Sequence, residues 1–366
     1  MNLFRFGLVG VVSLVCVSCD LAPPLVPLET IKIAANGTGF VIASSGQAFI
    51  PWGFNYDHDW SSRLLEDYWT PELPVVAEDF AEMKALGANV ARVHLQFGKF
   101  MLAPNQPNPA ALERLEQLVK IAEQTRVYLL LTGLGCYKKE DVPAWYDALS
   151  ETDRWAAQAQ FWGAVAARVG SSKAIFAYDL VNEPVIPDVP RPPGGWLTDT
   201  AFGNRYFVQY IVLDKAGRNS SAIARSWIQL MTAAIRAHDP DPLFTVGLLP
   251  FPNGAGFEPA EVVKDLDFIS VHVYPKEGQV DASLDLLRSF QKNKPVLVEE
   301  TYILNIGQTG LADFLGRSRS LALASGWIGF YWGKTLQEIT PPKDVFEALM
   351  KNWLEVFKAI DPNHKP

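Results

Sequence analysis

Apolar and polar positions follow two repeating patterns along this chain. Short apolar runs, typical of strands that are buried on both faces, alternate with longer stretches in which apolar residues recur at the helical period. The runs predict eight strands, at residues 49–54, 89–93, 126–131, 175–181, 243–248, 268–273, 296–298 and 327–331. The longer stretches predict eight helices, at residues 75–86, 110–123, 152–169, 222–238, 259–266, 282–292, 311–325 and 345–360. Because no glycine-rich phosphate loop follows the first strand, we expect a closed (β/α)8 TIM barrel and not a doubly wound sheet.

The N-terminal region differs from this repeat. Residues 1–19 contain Arg5 and then an apolar run that is too short to span a bilayer, which predicts a signal peptide and export from the cell. Cys19 ends this segment in a context that resembles a lipoprotein processing site, although Cys16 stands where such sites usually carry Leu. We expect lipidation of Cys19 at the cell envelope, with simple secretion as the alternative.

Three further segments follow the leader. Residues 20–30 contain three prolines, which predicts a short, stiff tether. Residues 31–48 contain two β-prone runs around turn residues, which predicts a hairpin that covers the bottom of the barrel. The barrel domain, counted from the hairpin onward, is expected to occupy residues 31–362.

Composition narrows the class of ligand. The chain has 32 basic and 40 acidic residues, a net charge of −8, and no basic block. Nucleic acid is therefore excluded as a partner, because its phosphates require clustered Lys and Arg, and strongly anionic substrates are disfavoured. The 11 Trp, 11 Tyr and 21 Phe suit stacking on neutral sugar rings. Contact with a membrane is expected only through the lipid anchor.

The candidate chemistry lies at two strand ends. The fourth strand stops at Asn182, Glu183 and Pro184, and the seventh is followed by Glu299 and Glu300. Carboxyl ends of parallel barrel strands meet at one face, where such folds keep their active sites. Strands four and seven lie nearly opposite each other, so Glu183 and Glu300 can face one cleft. Two carboxyl groups of opposed protonation state are the requirement for cleaving a glycosidic bond.

Four segments resemble motifs of glycoside hydrolase clan A, most closely those of family 5, and they occur in the same order along the chain. Around Glu183 and Glu300, the resemblance rests on segments 87–92, 182–184, 267–275 and 329–332. It implies that Glu183 is the acid/base and Glu300 the nucleophile, and that no cofactor or metal takes part. It also implies a ring of supporting or substrate-binding residues, namely Arg92, Asn182, His272, Tyr274 and Trp332.

Two segments depart from the family pattern. Thr301 and Tyr302 follow the nucleophile where an aromatic residue and Gly are usual, and the third-strand end lacks the common His.

Strand alternation predicts that the Glu299 side chain points away from the cleft and forms a salt bridge on the opposite side of the strand. Arg92 is expected to lower the pKa of Glu300, and Glu183 is expected to carry the proton near neutrality.

Four weaker candidates for substrate binding share the same face. They are Asn55, His94, Trp145 and, in the unusually long connection after the fourth strand, Trp196. Long connections in compact domains are often functional, and whether this one blocks an end of the cleft decides between endo and exo action. With five His in the chain and no paired His motif, a metallohydrolase is disfavoured.

The sequence therefore predicts an exported, retaining hydrolase of β-linked neutral oligo- or polysaccharides of the β-glucan or β-mannan type. Two alternatives stay open. A transglycosylase would use every residue named above and differ only in its acceptor, and an inactive carbohydrate-binding lipoprotein would share the fold.

Overall fold

Eight strands form the closed barrel that the sequence predicts, each hydrogen-bonded in parallel to the next and the last joined to the first. The computed structural model describes residues 27–363. The barrel strands are β1 Trp52–Tyr56, β2 Val90–Gln96, β3 Tyr128–Gly135, β4 Ile175–Asn182, β5 Phe244–Leu248, β6 Ile269–His272, β7 Val296–Glu300 and β8 Gly326–Phe330.

One helix follows each barrel strand and packs outside it. These are α1 Leu73–Ala85, α2 Pro109–Thr125, α3 Glu151–Val169, α4 Ser220–Arg236, α5 Pro259–Val262, α6 Val280–Phe290, α7 Gly307–Ser320 and α8 Val345–Ala359. In four of these helices, a side-chain oxygen of the residue that precedes the helix accepts a hydrogen bond from a backbone N–H of the first turn. These capping residues are Asn108, Ser150, Asn219 and Asp344. These caps explain why the helices begin where they do.

The start of the first strand differs from the prediction. Phe49 belongs to a separate N-terminal sheet, and β1 begins only at Trp52. Pro51 separates the two because it has no N–H to give to a strand ladder. Its carbonyl oxygen instead accepts from the N–H of Trp327 in β8.

The N-terminal sheet closes the bottom of the barrel, as predicted. Its antiparallel strands are Ile31–Ile33, Phe40–Ile42 and Ala48–Phe49, so the predicted hairpin gains a third short strand. The Phe40 ring lies 5.2 Å from Phe176 and 5.2 Å from Phe268, near the N-terminal ends of β4 and β6. This end of the barrel is therefore sealed by aromatic packing.

The connection from β4 to α4 is the longest near the opposite end. It contains a small parallel pair, Pro184–Val185 with Gln209–Tyr210, which fixes its two halves to each other directly after Glu183. The connection consequently starts at the same strand end as the candidate acid/base.

The predicted signal peptide (residues 1–19), Cys19 and residues 20–26 of the predicted tether lie outside the described residues. Between residues 27 and 363, no helix combines the length and apolar character needed to cross a membrane.

Candidate active site

The two predicted catalytic glutamates come together at the carboxyl ends of their strands. One carboxylate oxygen of Glu183, one of Glu300 and a ring nitrogen of His272 lie within 4.8 Å of one another. The Glu183 and Glu300 side chains are 14% and 12% exposed, so both reach the cleft from a largely enclosed position.

The backbone at Glu183 turns sharply out of the sheet. Glu183 has a φ of 47°, in the left-handed region that non-glycine residues rarely adopt. Its N–H donates to the carbonyl of Gly247 in β5 at 2.9 Å, and Pro184 prevents the strand from continuing. A strained conformation of this kind costs about 1–3 kcal/mol, and it aims the carboxylate across the barrel mouth.

Arg92, on β2, occupies the centre of the barrel mouth and is completely buried. Its Nη1 donates to Glu300 Oε1 at 2.6 Å and to Asn55 Oδ1 at 2.9 Å. Its Nη2 donates to Asp179 Oδ2 at 2.7 Å and to Asn182 Oδ1 at 2.8 Å. The guanidinium therefore fixes the end of β4 to the end of β7.

Asp179 is a buried acid that the sequence analysis did not identify. Besides Arg92, its carboxylate accepts from the Thr132 hydroxyl at 2.8 Å and from the Gly247 N–H at 2.8 Å. Burial, and then the negative charge of Glu299, raise its pKa above the usual range. A charged residue inside the apolar run of β4 was the signal that could have revealed it.

Glu299 corrects the prediction from strand alternation. The register between β6 and β7 shifts so that Val271 pairs with Val298 but His272 pairs with Glu300, leaving Glu299 as an extra residue. A bulge of this kind lets two successive side chains face the same side. Glu299 Oε2 consequently lies inside the barrel mouth, 3.5 Å from Arg92 Nη2. The expected salt bridge is present at ion-pair distance, but on the cleft side.

His272 stands between the acids. Its Nδ1 lies 2.7 Å from Glu183 Oε1 and 3.3 Å from Glu300 Oε2, and its Nε2 lies 3.4 Å from Glu299 Oε2. Burial alone would lower the pKa of His272, but the three carboxylates, Glu300 first, outweigh burial and raise it to about 10. The three surrounding acids therefore favour the protonated form of His272.

Glu300 receives donors on both oxygens. Besides the Arg92 contact to Oε1, the Tyr274 hydroxyl donates to Oε2 at 2.6 Å. Arg92 lowers the pKa of Glu300, as expected, but this effect does not decide the net pKa. Burial raises the pKa of Glu300, and the charges of His272 and Arg92, although they oppose this rise, leave it above the ordinary value.

An aromatic and acidic wall lies beside the pair at the ends of β8 and β1. The Trp332 indole N–H donates to Asp57 Oδ1 at 3.2 Å, and its ring lies 4.9 Å from His58 and 5.6 Å from Tyr302. Burial would raise the pKa of Asp57, but His58, 2.9 Å away, outweighs it and lowers the pKa to about 2. Asp57 and Tyr302 were not predicted as site residues, although Asp57 directly follows β1 and Tyr302 stands two residues after Glu300.

Four predicted substrate contacts lie elsewhere. Asn55 and His94 are buried beneath Arg92, where Asn55 Oδ1 accepts from Arg92 and faces His94 Nε2 at 3.2 Å. Trp196 is 2% exposed, and Trp145 packs 5.8 Å from Phe97. Asn55 and His94 therefore position other groups, and Trp196 packs in the protein instead of presenting a free face to sugar, whereas Trp145 is only partly buried.

The long connection contacts the ends of β3 and β4. The Tyr206 N–H donates to the carbonyl of Tyr137 at 3.1 Å, and the Phe207 carbonyl accepts from Asn182 Nδ2 at 3.0 Å. Further out, Arg205 Nη2 donates to the carbonyl of Ser62, in the loop after β1, at 2.6 Å. The connection thus forms one wall of the cleft, as the sequence predicted.

The cluster of Glu183, His272 and Glu300 is close enough to bind a metal, but its chemistry does not suit one. The surrounding acids favour a protonated His272 ring, which has no lone pair for a metal, and the Arg92 cation already lies 2.6 Å from Glu300. Cys136, the free cysteine of the described chain, is buried, and burial raises the pKa of its thiol to about 11. This agrees with its interpretation as a packing residue.

Residues 45–323 match the model of the family described as Cellulase (glycosyl hydrolase family 5). The chain belongs to glycosyl hydrolase family 5. No curated protein matches it. The family model and the closed barrel confirm the predicted membership of family 5 and the predicted fold.

The solved structures that share the fold of this family 5 chain include a mannosidase, a mannanase and an endoglucanase. The exo-β-1,4-mannosidase Op5Man5 from Opitutaceae bacterium strain TAV5 has 16% identity and a TM-score of 0.65, over 90% of this chain and 62% of that one. An endo-1,4-β-mannanase from Rhizomucor miehei has 15% identity and a TM-score of 0.61, over 90% and 100%. The catalytic domain of Thermobifida fusca endoglucanase Cel5A has 16% identity and a TM-score of 0.54, over 83% and 85%. The chain spans 62% of the length of the mannosidase. At these identities the likeness shows the shared barrel.

Proposed function

We propose that this protein is a retaining hydrolase of β-linked, neutral glycans. The observation that carries the proposal is the approach of Glu183 and Glu300, whose nearest carboxylate oxygens lie within 4.8 Å. Retaining enzymes hold their two carboxyl groups about 5–5.5 Å apart, whereas inverting enzymes leave about 6.5–9.5 Å for a water. Membership of family 5 supports the same chemistry.

In the first step, a Glu300 oxygen attacks the anomeric carbon while Glu183 gives its proton to the departing glycosidic oxygen. The bond to the leaving group breaks as the glycosyl–Glu300 ester forms. In the second step, Glu183 removes a proton from water, the water oxygen attacks the same carbon, and the ester breaks. Two inversions retain the configuration.

The surroundings of Glu300 suit a nucleophile. Arg92 and Tyr274 each donate to one of its oxygens, so they orient the carboxylate and stabilise its ionised form. They also hold the departing carboxylate when the ester is cleaved in the second step.

The cleft favours neutral sugar. Asp57, Glu183 and Glu300 provide acids around its floor, and the chain carries a net charge of −8, which disfavours anionic sugars. Trp332 provides an apolar ring beside these acids, with its N–H directed to Asp57. The neighbours named as mannosidase, mannanase and endoglucanase support a β-mannan or β-glucan type of substrate.

The test is hydrolysis of a panel of β-glucans, β-mannans, xylans and aryl β-glycosides by wild type, Glu183→Gln and Glu300→Gln. We expect one neutral glycan class to be cleaved and each substitution to reduce kcat by roughly 10³-fold or more. Glu116→Gln, on the surface of α2, serves as the control with an unchanged rate. Wild-type inactivity across the panel, or full activity of either active-site variant, would contradict the proposal.

We also propose export, with Cys19 as the lipidated residue. The supporting feature is the apolar segment of residues 8–17 followed by Cys19. In cells fed a labelled fatty acid, the wild type should carry the label in the membrane fraction, and Cys19→Ser should lose it. A label retained by Cys19→Ser would exclude this residue.

A further inference from the structure

Glu299 is a buried ionisable group that the two-step mechanism does not use. Its side chain is fully buried, and neither of its oxygens has a hydrogen-bond partner. An unpaired carboxylate in such a place is costly unless opposite charges compensate it. Two cations lie at ion-pair distance: Arg92 Nη2 at 3.5 Å and His272 Nε2 at 3.4 Å.

Glu299, His272 and Arg92 can meet in this way because the residue that faces them, Gly247, has no side chain. A Cβ on Gly247 would lie 2.9 Å from Glu299 Oε2, 3.0 Å from His272 Nε2 and 3.1 Å from Arg92 Nη2. Real Cβ atoms essentially never show the first of these distances, and the other two are tighter than nine in ten real Cβ contacts. Together with the bulge that turns Glu299 inward, this indicates that the fold brings Glu299 to the imidazole specifically.

The position of Glu299 determines how many protons the His272 ring must carry. Nδ1 of His272 faces Glu183 and Glu300, and Nε2 faces Glu299, so both ring nitrogens face acceptors. A neutral imidazole has one N–H and would leave one carboxylate facing a nitrogen lone pair. When Glu183 is ionised, as it is once it has given up its proton, only the doubly protonated ring presents an N–H to the acids on both sides.

We propose that Glu299 is a positioning residue that holds His272 in its doubly protonated form, so that Nδ1 donates to Glu183 throughout the catalytic cycle. The inference rests on the proposed function of Glu183 as acid and base. When Glu183 gives its proton to the glycosidic oxygen, it becomes a carboxylate, and the cationic N–H stabilises that product of proton transfer. The benefit is therefore largest where the leaving group needs a proton.

Other charges also face this pair and belong to the account. Arg92 from β2 and Asp179 from β4 lie on the Glu299 side, and Glu183 and Glu300 lie on the Nδ1 side of His272. His94 from β2 acts on the cluster too, and burial keeps it neutral because its pKa falls well below the usual value. Removing the Glu299 charge leaves all of these in place.

The experiment compares wild type, Glu299→Gln and Glu299→Asp on two substrates of the same sugar, a disaccharide and a dinitrophenyl glycoside. Gln keeps the size and removes the charge, and Asp restores the charge on a shorter side chain. We expect Glu299→Gln to lose roughly 10- to 100-fold in kcat/KM on the disaccharide, as partial loss of acid catalysis does. The dinitrophenyl glycoside should lose far less because its leaving group departs without a proton, and Glu299→Asp should recover part of the disaccharide rate.

A second readout follows the imidazole directly. Nitrogen NMR of ¹⁵N-histidine-labelled protein, assigned with His272→Gln, reports how many protons the ring carries at each pH. We expect wild-type His272 to stay doubly protonated through pH 8 and Glu299→Gln to lose a proton at least about one pH unit lower. Glu66→Gln, which removes another shielded carboxylate outside this cluster, should leave the His272 signals unchanged.

Equal losses on both substrates together with an unchanged His272 titration would overturn the inference and leave Glu299 as a packing residue. If Glu299→Gln does not fold, the wild-type spectrum still decides, since a His272 that is neutral at pH 7 contradicts the proposal. Failure of the proposed function has a different signature: wild type and Glu183→Gln would be equally inactive on both substrates, whatever the NMR shows.

Discussion

Different interactions dominate at the two ends of the barrel, apolar packing at the bottom and charged groups at the top. At the bottom, Phe40 packs edge-on against Phe176 and Phe268, and Phe49 lies 5.2 Å from Tyr128, so this end is sealed by apolar rings. At the top, Arg92 and His272 are surrounded by four carboxylates, two of them without exposure to solvent. Apolar packing stabilises wherever it is buried, whereas clustered charges cost desolvation and repulsion. The comparison indicates that apolar packing at the bottom stabilises the fold, whereas the charge cluster that catalysis needs at the top destabilises it.

The largest effect is expected at the centre of the top. Arg92→Met removes the cation shared by Glu300, Asp179 and Glu299, and it leaves these acids buried together. We expect activity to fall by roughly 10³-fold or more and the free energy of unfolding to fall by about 3–5 kcal/mol. Kinetics and chemical denaturation measure both. A variant that lost activity but kept full stability would show that the acids are discharged by other means.

At the bottom, the same loss of stability should leave the chemistry intact. Phe40→Ala empties the space between Phe176 and Phe268 and should cost about 3–5 kcal/mol. Its kcat at a temperature where the variant is folded should equal that of the wild type. Phe40→Leu, which refills part of the space, is the control and should recover much of the stability. A large fall in kcat in the folded Ala variant would break the proposed division between the two ends.

A third prediction concerns pH. Burial raises the pKa of Glu300, and the nucleophile must be deprotonated, so activity falls as the pH drops through that raised value. The acidic limb of kcat/KM should consequently lie above the ordinary glutamate pKa of about 4.3. A dinitrophenyl glycoside isolates this limb, because its leaving group does not need the Glu183 proton. A limb at or below the ordinary value would contradict the raised pKa.

The smallest effect is expected at the rim. Arg205→Ala removes the contact to Ser62 that joins the loops after β1 and β4, a hydrogen bond worth about 1 kcal/mol. If this contact narrows the cleft, the preference for polymer over short aryl oligosaccharide should rise up to about fivefold. Arg191→Ala, in the same connection but stacked on Tyr210, is the matched control. An unchanged ratio would show that this contact does not limit access.

The sequence predicted the barrel because each of its signals is local. Buried strands read as apolar runs, helix starts carry Asn, Ser or Asp, and Pro184 ends β4 beside Glu183. The strand order then brought the ends of β4 and β7 to one cleft, and the resemblance to family 5 selected Glu300 as the partner of Glu183. Arg92, His272 and Tyr274 were placed by resemblance, and all three contact one or both of these acids.

What the sequence missed depends on register and on long-range packing. Alternation placed Glu299 on the wrong side because a bulge is invisible until β6 and β7 are paired. Trp196 was expected to face sugar, but Arg154 stacks 4.3 Å from its ring, a contact between remote segments. Arg92 lowers the pKa of Glu300 as expected, but the net pKa is raised because burial of the carboxylate, which its charged neighbour does not reveal, outweighs that effect.

The central claim is that Glu300 attacks the sugar while Glu183 handles the proton. It is tested most directly by trapping the ester with a 2-deoxy-2-fluoro β-glycoside of the sugar that the panel identifies, carrying dinitrophenolate as leaving group. The fluorine slows both steps and the leaving group speeds the first, so the covalent enzyme accumulates. Mass spectrometry of the digested protein should then find one sugar per chain, on Glu300. A label on Glu299 or any other residue, or no label despite turnover of the parent glycoside, would contradict the account.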